Sequence, residues 1–227
     1  MNQNLERIAL AAALATGLLA TTGASAQSAG SLMLRLGATQ IKPNVTSGDL
    51  TAPSFAGTKV DIRSNTQLGG GLTYMLTDNF AIDVPLALPF KHDIVGAGAI
   101  AGVGKIGEVR AWPFTVLGQF RFFESTSPLR PYLGAGLTYA KFYKARSTAA
   151  LSALTGGTPA NPTTLSVKSK LAATVQLGAS FAFSERWFVD ANVTRTFLKT
   201  RTTLSTGQTL DATLNPDSIG IAVGYLF

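Results

Sequence analysis

From Leu32 to the final Phe227, apolar side chains recur at every second position, the period of strands that show one greasy face. Eight segments carry the pattern: Leu32, Leu34, Leu36 and Ala38; Leu68, Gly70, Leu72 and Tyr74; Phe80 to Leu88 in steps of two; Trp112, Phe114, Val116, Phe120 and Phe122; Leu129 to Tyr139; Leu171 to Phe183; Trp187 to Val193; and Ile219 to Phe227. The opposite parity is small or polar. A soluble barrel would turn its apolar residues inward and its charges outward. Here the greasy parity also carries the aromatics, which suits contact with acyl chains.

Composition supports a membrane setting. Charged residues make up 14% of the chain, against about a quarter in soluble domains, and the mean hydropathy is +0.24. Past residue 26 no apolar run approaches the ~20 residues that a spanning helix needs. The other way to cross a bilayer with every backbone group satisfied is a closed barrel. The expected fold is therefore all-β, an eight-stranded antiparallel transmembrane β-barrel. Short turns at 77–79, 124–128 and 184–186 alternate with long stretches around Asp49, Ala99, Thr155 and Gly207. This is the asymmetry of short periplasmic turns and long extracellular loops. Tyr74, Phe80, Phe120, Phe122, Phe183, Trp187, Tyr225 and Phe227 all flank the short-turn end, as an interfacial aromatic girdle would.

Residues 1–26 read as a cleaved signal peptide: Arg7, an apolar run from Ile8 to Ala20, then Ala24-Ser25-Ala26 as an A-x-A site. Residues 27–227 form the barrel domain. No Cys follows the site, so no lipid anchor or disulfide framework is expected.

Several segments resemble the OmpW family, which includes AlkL-type importers of hydrophobic compounds. Leu88-Pro89-Phe90-Lys91-His92 resembles its PFKH motif, and the run from Arg130-Pro131-Tyr132 to Gly134-Ala135-Gly136 its RPY-x-GAG motif. Asn215-Pro216 precedes the last strand, and Gly224-Tyr225-Leu226-Phe227 resembles the GY-x-F ending. Where the family often has Pro-Pro-Thr entering the fourth strand, Trp112-Pro113-Phe114-Thr115 keeps one proline. The resemblance implies a narrow apolar lumen, passage of small hydrophobic molecules and lateral release into the membrane. Phe227 likewise resembles the C-terminal signal read by the outer-membrane barrel assembly machinery.

The inward parity divides by depth. Near the short turns lie Arg35, Asp83, Arg121 and Asp190, with Asn192 beside them and Gln119 and Gln176 above. Unpaired buried charges are costly, so two bases and two acids in so narrow a bore should pair and plug it. Nearer the outside the inward positions are Pro85, Ala87, Pro89, Pro113, Leu117, Ala140, Phe142 and Leu198. That lining admits a hydrophobic ligand, while a hydrated ion would lose its shell there; packed filler that simply closes the barrel is the competing reading. Pro cannot donate to a ladder, so Pro85, Pro89 and Pro113 on neighbouring strands should weaken one seam of the wall.

The formal charge is +7, and most bases fall in the long-loop half, spread with no helix to carry a nucleic-acid surface. Arg110, Lys141 and Arg195 have outward parity near the outer edge, placed to meet lipopolysaccharide phosphates or to form a solvated rim. Arg130 and Arg186 balance Asp78, Glu124 and Glu185 at the other end. His92, the one histidine, lacks partners for a metal site, and no cofactor is expected. Residues 96–101 loosely fit a dinucleotide fingerprint without its helix or acidic residue and read as a flexible loop. The functions left open are passive uptake of small hydrophobic molecules, or a non-transporting surface barrel (adhesion, phage receptor, stress resistance) acting through its loops. No constellation for an outer-membrane enzyme is present.

Overall fold

A computed structural model describes residues 27–227; the expected signal peptide lies outside the described residues. Eight strands close into an antiparallel barrel: β1 (Leu32–Lys42), β4 (Asn65–Met75), β5 (Phe80–Ala87), β7 (Lys105–Arg121), β8 (Leu129–Ser147), β10 (Lys170–Ala182), β11 (Trp187–Phe197) and β14 (Asp217–Leu226). Each pairs with its neighbour in sequence, β14 returns to β1, and the β7–β8 contact completes the ring. The alternation holds throughout. In β1, Leu32, Leu34 and Leu36 are exposed while Met33 and Arg35 are buried, and the other staves repeat the pattern, so the exposed parity is the lipid face.

The aromatics gather at the short-turn end. Phe80 meets Phe120 at 5.0 Å and Phe120 meets Phe122 at 5.1 Å. Across the last staves Trp187, Tyr225 and Phe227 stack edge to face at 5.0 and 4.8 Å.

The long loops are more ordered than their Gly, Ser, Thr and Pro content suggests. Staves β7 and β8 run well past the apolar band. The strands β3 (Thr58–Ile62) and β6 (Phe90–Gly98) extend the sheet beyond the barrel. A separate four-stranded sheet joins β2 (Thr46–Ser47), β13 (Thr209–Thr213), β12 (Lys199–Leu204) and β9 (Leu165–Val167), and a short helix α1 (Ala149–Thr155) is capped by the Thr148 side chain. These elements share an apolar core that includes Leu50, Ile100, Leu151 and Leu204. The result is a folded cap over the outer mouth. Gly96–Gly98 belong to β6 and residues 99–102 to the turn that follows, which corrects the expectation of a flexible loop there.

Candidate functional site

The floor of the bore is built on Arg35. Its Nη1 donates to Asp190 Oδ1 at 3.0 Å and its Nη2 to Asp83 Oδ1, all three side chains being buried. Thr73 Oγ1 adds a bond to Asp83 at 2.6 Å, and Tyr132 Oη lies 3.0 Å from both oxygens of Asp190. The expected pairing of two bases with two acids is half met. Both carboxylates converge on Arg35, while Arg121 binds neutral acceptors, Gln119 Oε1 at 3.1 Å and Ser180 Oγ at 2.8 Å. The reason is Tyr132. Its ring lies 4.6 Å beneath the Arg121 guanidinium, a cation–π contact, and its hydroxyl takes the place at Asp190 that a second arginine would fill. Gly178, directly opposite in register, makes room for that ring, since a Cβ there would stand 2.4 Å from Tyr132 Cζ.

Arg130 corrects a second expectation. It does not balance charge at the rim but is fully buried, donating to the carbonyls of Gln27 at 2.8 Å and Asp78 at 2.6 Å. Gln27 is itself buried and reaches Ser180. Parity indicates which way Arg130 points; that turn carbonyls fold in to meet it is not written in its own strand.

Above the floor lies a cavity of about 130 Å³. Of the eight expected apolar lumen residues, Pro85, Ala87, Pro113, Ala140, Phe142 and Leu198 line it. Leu117 does not: it is fully buried at the level of Asp83 and belongs to the floor. Pro89 is absent from the lining too and lies in the break between β5 and β6. Sequence reasoning missed Ile41, Ile62, Phe90, Val109 and Leu214, because these come from segments beyond the alternating runs. A collar of hydroxyls, Thr115, Thr138, Thr174 and Thr196, links four staves at 2.8, 2.6 and 3.1 Å, and Thr115, Thr138 and Thr196 line the cavity together with Gln176.

One wall is incomplete. β5 pairs with β7 from Phe80/Phe120 to Asp83/Leu117, and β6 resumes the ladder at Phe90/Ala111. Between these points no register pair joins residues 84–89 to residues 112–116, although each strand keeps its other neighbour through most of this stretch. The three prolines singled out in the sequence all fall here. Trp112 Nε1 donates to Ala87 O at 3.1 Å across the gap. Just above it His92 is buried, with Nδ1 2.9 Å from Arg63 O, which fixes the neutral ring as the Nδ1–H tautomer. Burial pushes this imidazole below its ordinary range, outweighing the Arg63 carbonyl and Asp93.

On the outer surface Arg110 and Lys141 are exposed and enter no ion pair among the described residues. Arg195 differs: its Nε and Nη2 grip Asp217 at 2.7 and 2.9 Å, so its fork is already filled. Among the described residues no cluster of three His, Cys, Asp or Glu could hold a metal.

A closed ring of strands with a lipid-facing apolar belt, an aromatic girdle at one end and a folded cap at the other defines an integral outer-membrane barrel. Residues 28–227 match the OmpW family model, and the chain belongs to that family. Outer membrane protein W of Vibrio cholerae serotype O1 is 32% identical over 202 residues, covering 87% of this chain and 89% of the relative. The dibenzothiophene metabolism operon protein PahQ of Pseudomonas aeruginosa is 25% identical, covering 78% and 79%. The crystal structure of the outer membrane protein OprG from Pseudomonas aeruginosa superposes with a TM-score of 0.79 at 23% identity, covering 91% of this chain and 99% of that one. The chain is thus a protein of the Gram-negative outer membrane.

Proposed function

We propose that this barrel carries small hydrophobic molecules from the outside into the membrane, through the apolar lumen and out sideways between β5/β6 and β7. The observation that carries the reading is a wall without ladder pairing beside the cavity, above the Arg35–Asp83–Asp190 network. A molecule in the lumen meets a buried ionic network below, where leaving water uncompensated is costly. To the side it meets a stretch with no ladder hydrogen bonds and lipid beyond. An eight-stranded bore holds one small ligand, which suits single-file passage. The relative named for a dibenzothiophene metabolism operon supports an apolar cargo.

The test is to replace Ala87 and Pro113 with cysteines and bridge them with a short thiol-reactive linker. Uptake of a hydrophobic dye into cells should fall to the level of a strain lacking the protein and recover when a cleavable linker is cut. Undiminished uptake in the bridged protein refutes lateral exit. Equal uptake with and without the protein, for dye and for a sugar of similar size, refutes transport and leaves a surface barrel acting through its cap. Arg110 and Lys141 we assign to lipopolysaccharide phosphates, and Phe227 to recognition by the barrel assembly machinery.

A further inference from the structure

A second cavity, of about 70 Å³, lies inside the cap. Its wall is mostly aliphatic, with Ile94, Ile100, Leu151, Leu204 and Leu210 among its residues. One polar group breaks the pattern. Thr58 lines the chamber at 5% exposure, and its hydroxyl oxygen is buried with no hydrogen-bond partner. The hydroxyls of Ser54, Thr155 and Thr200, also in the wall, each donate to a backbone carbonyl. An unsatisfied buried hydroxyl costs about 1–3 kcal/mol, and Val has the same shape without that cost. A water needs two to four polar partners and finds few here. The group that satisfies Thr58 is better supplied by an apolar molecule that brings its own oxygen.

Four side chains, Ile62, Val109, Phe142 and Leu214, line both this chamber and the lumen below. They stand at the junction of the two spaces, so anything passing from one to the other must move them.

We propose that the cap chamber is a second binding site, which holds a small apolar molecule by hydrogen-bonding its single hydroxyl or carbonyl oxygen to Thr58. Ile62, Val109, Phe142 and Leu214 form the bottleneck to the lumen. At about 70 Å³ the chamber is about half the size of the ~150 Å³ cavity that takes benzene, so a ring seated at Thr58 pushes the bottleneck side chains toward the lumen. The ligand class is therefore a molecule no bulkier than a single ring, bearing one oxygen. This deepens the channel reading by placing a selective station ahead of the conduit, but binding here does not require transport.

The experiment titrates 4-fluorobenzyl alcohol and 4-fluorotoluene into the protein in lipid nanodiscs, read by ¹⁹F NMR against empty nanodiscs. The alcohol should bind about 5- to 10-fold more tightly than the toluene, the worth of one hydrogen bond. Thr58→Val should erase that difference without weakening 4-fluorotoluene. Leu204→Trp, which fills the chamber, should abolish saturable binding of both. Heat-modifiable migration in detergent gels verifies that each variant is folded. A preference for the alcohol that survives Thr58→Val, saturable binding that survives Leu204→Trp, or no binding to the wild type overturns the assignment. Dye uptake by the bridged protein tests the channel separately: undiminished uptake there, with Thr58 dependence intact, counts against lateral exit alone.

Discussion

Arg35 is the residue on which the floor depends, because among the described residues it is the one cation that touches both buried carboxylates. Removing it leaves two acids facing each other in the bore. Arg35→Ala should therefore destabilise the barrel by about 3–5 kcal/mol, measured by urea unfolding in lipid vesicles. Tyr132→Phe keeps the ring beneath Arg121 and removes only the hydroxyl at Asp190; a loss of about 1.5–3 kcal/mol is expected. A loss below 0.5 kcal/mol for the tyrosine variant would show that Arg35 and Asn192 hold Asp190 without it. These residues also mark what a sequence can and cannot tell. Alternation puts Arg35, Asp83, Arg121 and Asp190 on one parity, and all four are buried, because side-chain parity is a local property. Who meets whom depends on the stagger between strands and on a ring from another stave, and neither is encoded near Arg121. Leu117 went astray for the same reason: its face was legible and its depth was not.

At the scale of elements, the eight staves were legible wherever a strand has lipid on one side and the bore on the other. Their extensions were not. Above the apolar band both faces of β7 and β8 meet protein or water, the alternation loses its meaning, and the short polar strands of the cap resemble loops. The seam between β5/β6 and β7 lies at that boundary, and among the described residues the Trp112 indole makes the one side-chain hydrogen bond across it. Trp112→Phe preserves the aromatic pair with Phe114, now 4.7 Å apart, and deletes the donor to Ala87. Backbone amides at 86–88 should exchange faster with solvent deuterium, and uptake of a hydrophobic dye should rise. Unchanged exchange would mean that side-chain packing, not this bond, closes the gap. The β6–β7 hairpin above is tied differently, by Glu108 between Lys91 at 2.9 Å and Lys105 at 2.8 Å. Hydrogen bonds from these two ammonium groups pull the Glu108 carboxyl down to about 2. A depressed carboxyl stabilises the fold above its unfolded value of 4.5 and loses that contribution as the pH falls toward 2. A carbon-13 titration of Glu108 should show a midpoint well below 4; Lys105→Met should move it back up. A midpoint near 4.5 in the wild type would mean that the strap does not persist in solution.

Over the whole molecule, burial of Arg130 changes the charge map that composition alone suggests. With that arginine inside, the exposed short-turn rim keeps Asp78, Glu124 and Glu185 against Arg186, while bases crowd the cap end. The molecule is polarised along its axis, acidic toward the periplasm and basic toward the outer leaflet. Position along that axis does not decide which bases are free to bind lipid; existing partners do. Arg195 is neutralised by Asp217, whereas Arg110 and Lys141 stand unpaired beside Trp112, Lys141 directly opposite the tryptophan in register. Near an anionic surface each free base contributes about 1 kcal/mol, so the pair should add about 2 kcal/mol where lipopolysaccharide is present and nothing where it is absent. Thermal unfolding in phosphatidylcholine vesicles with and without lipopolysaccharide separates the cases. The wild type should gain stability from the added lipid, and the double variant Arg110→Ser, Lys141→Ser should lose most of that gain while matching the wild type in phosphatidylcholine alone. Arg195→Ser should behave the opposite way, weakened equally in both vesicles because what it loses is an internal partner. If the double variant keeps the full gain, the outer leaflet is held by the cap's other lysines, and the two bases nearest the seam belong to the solvated rim.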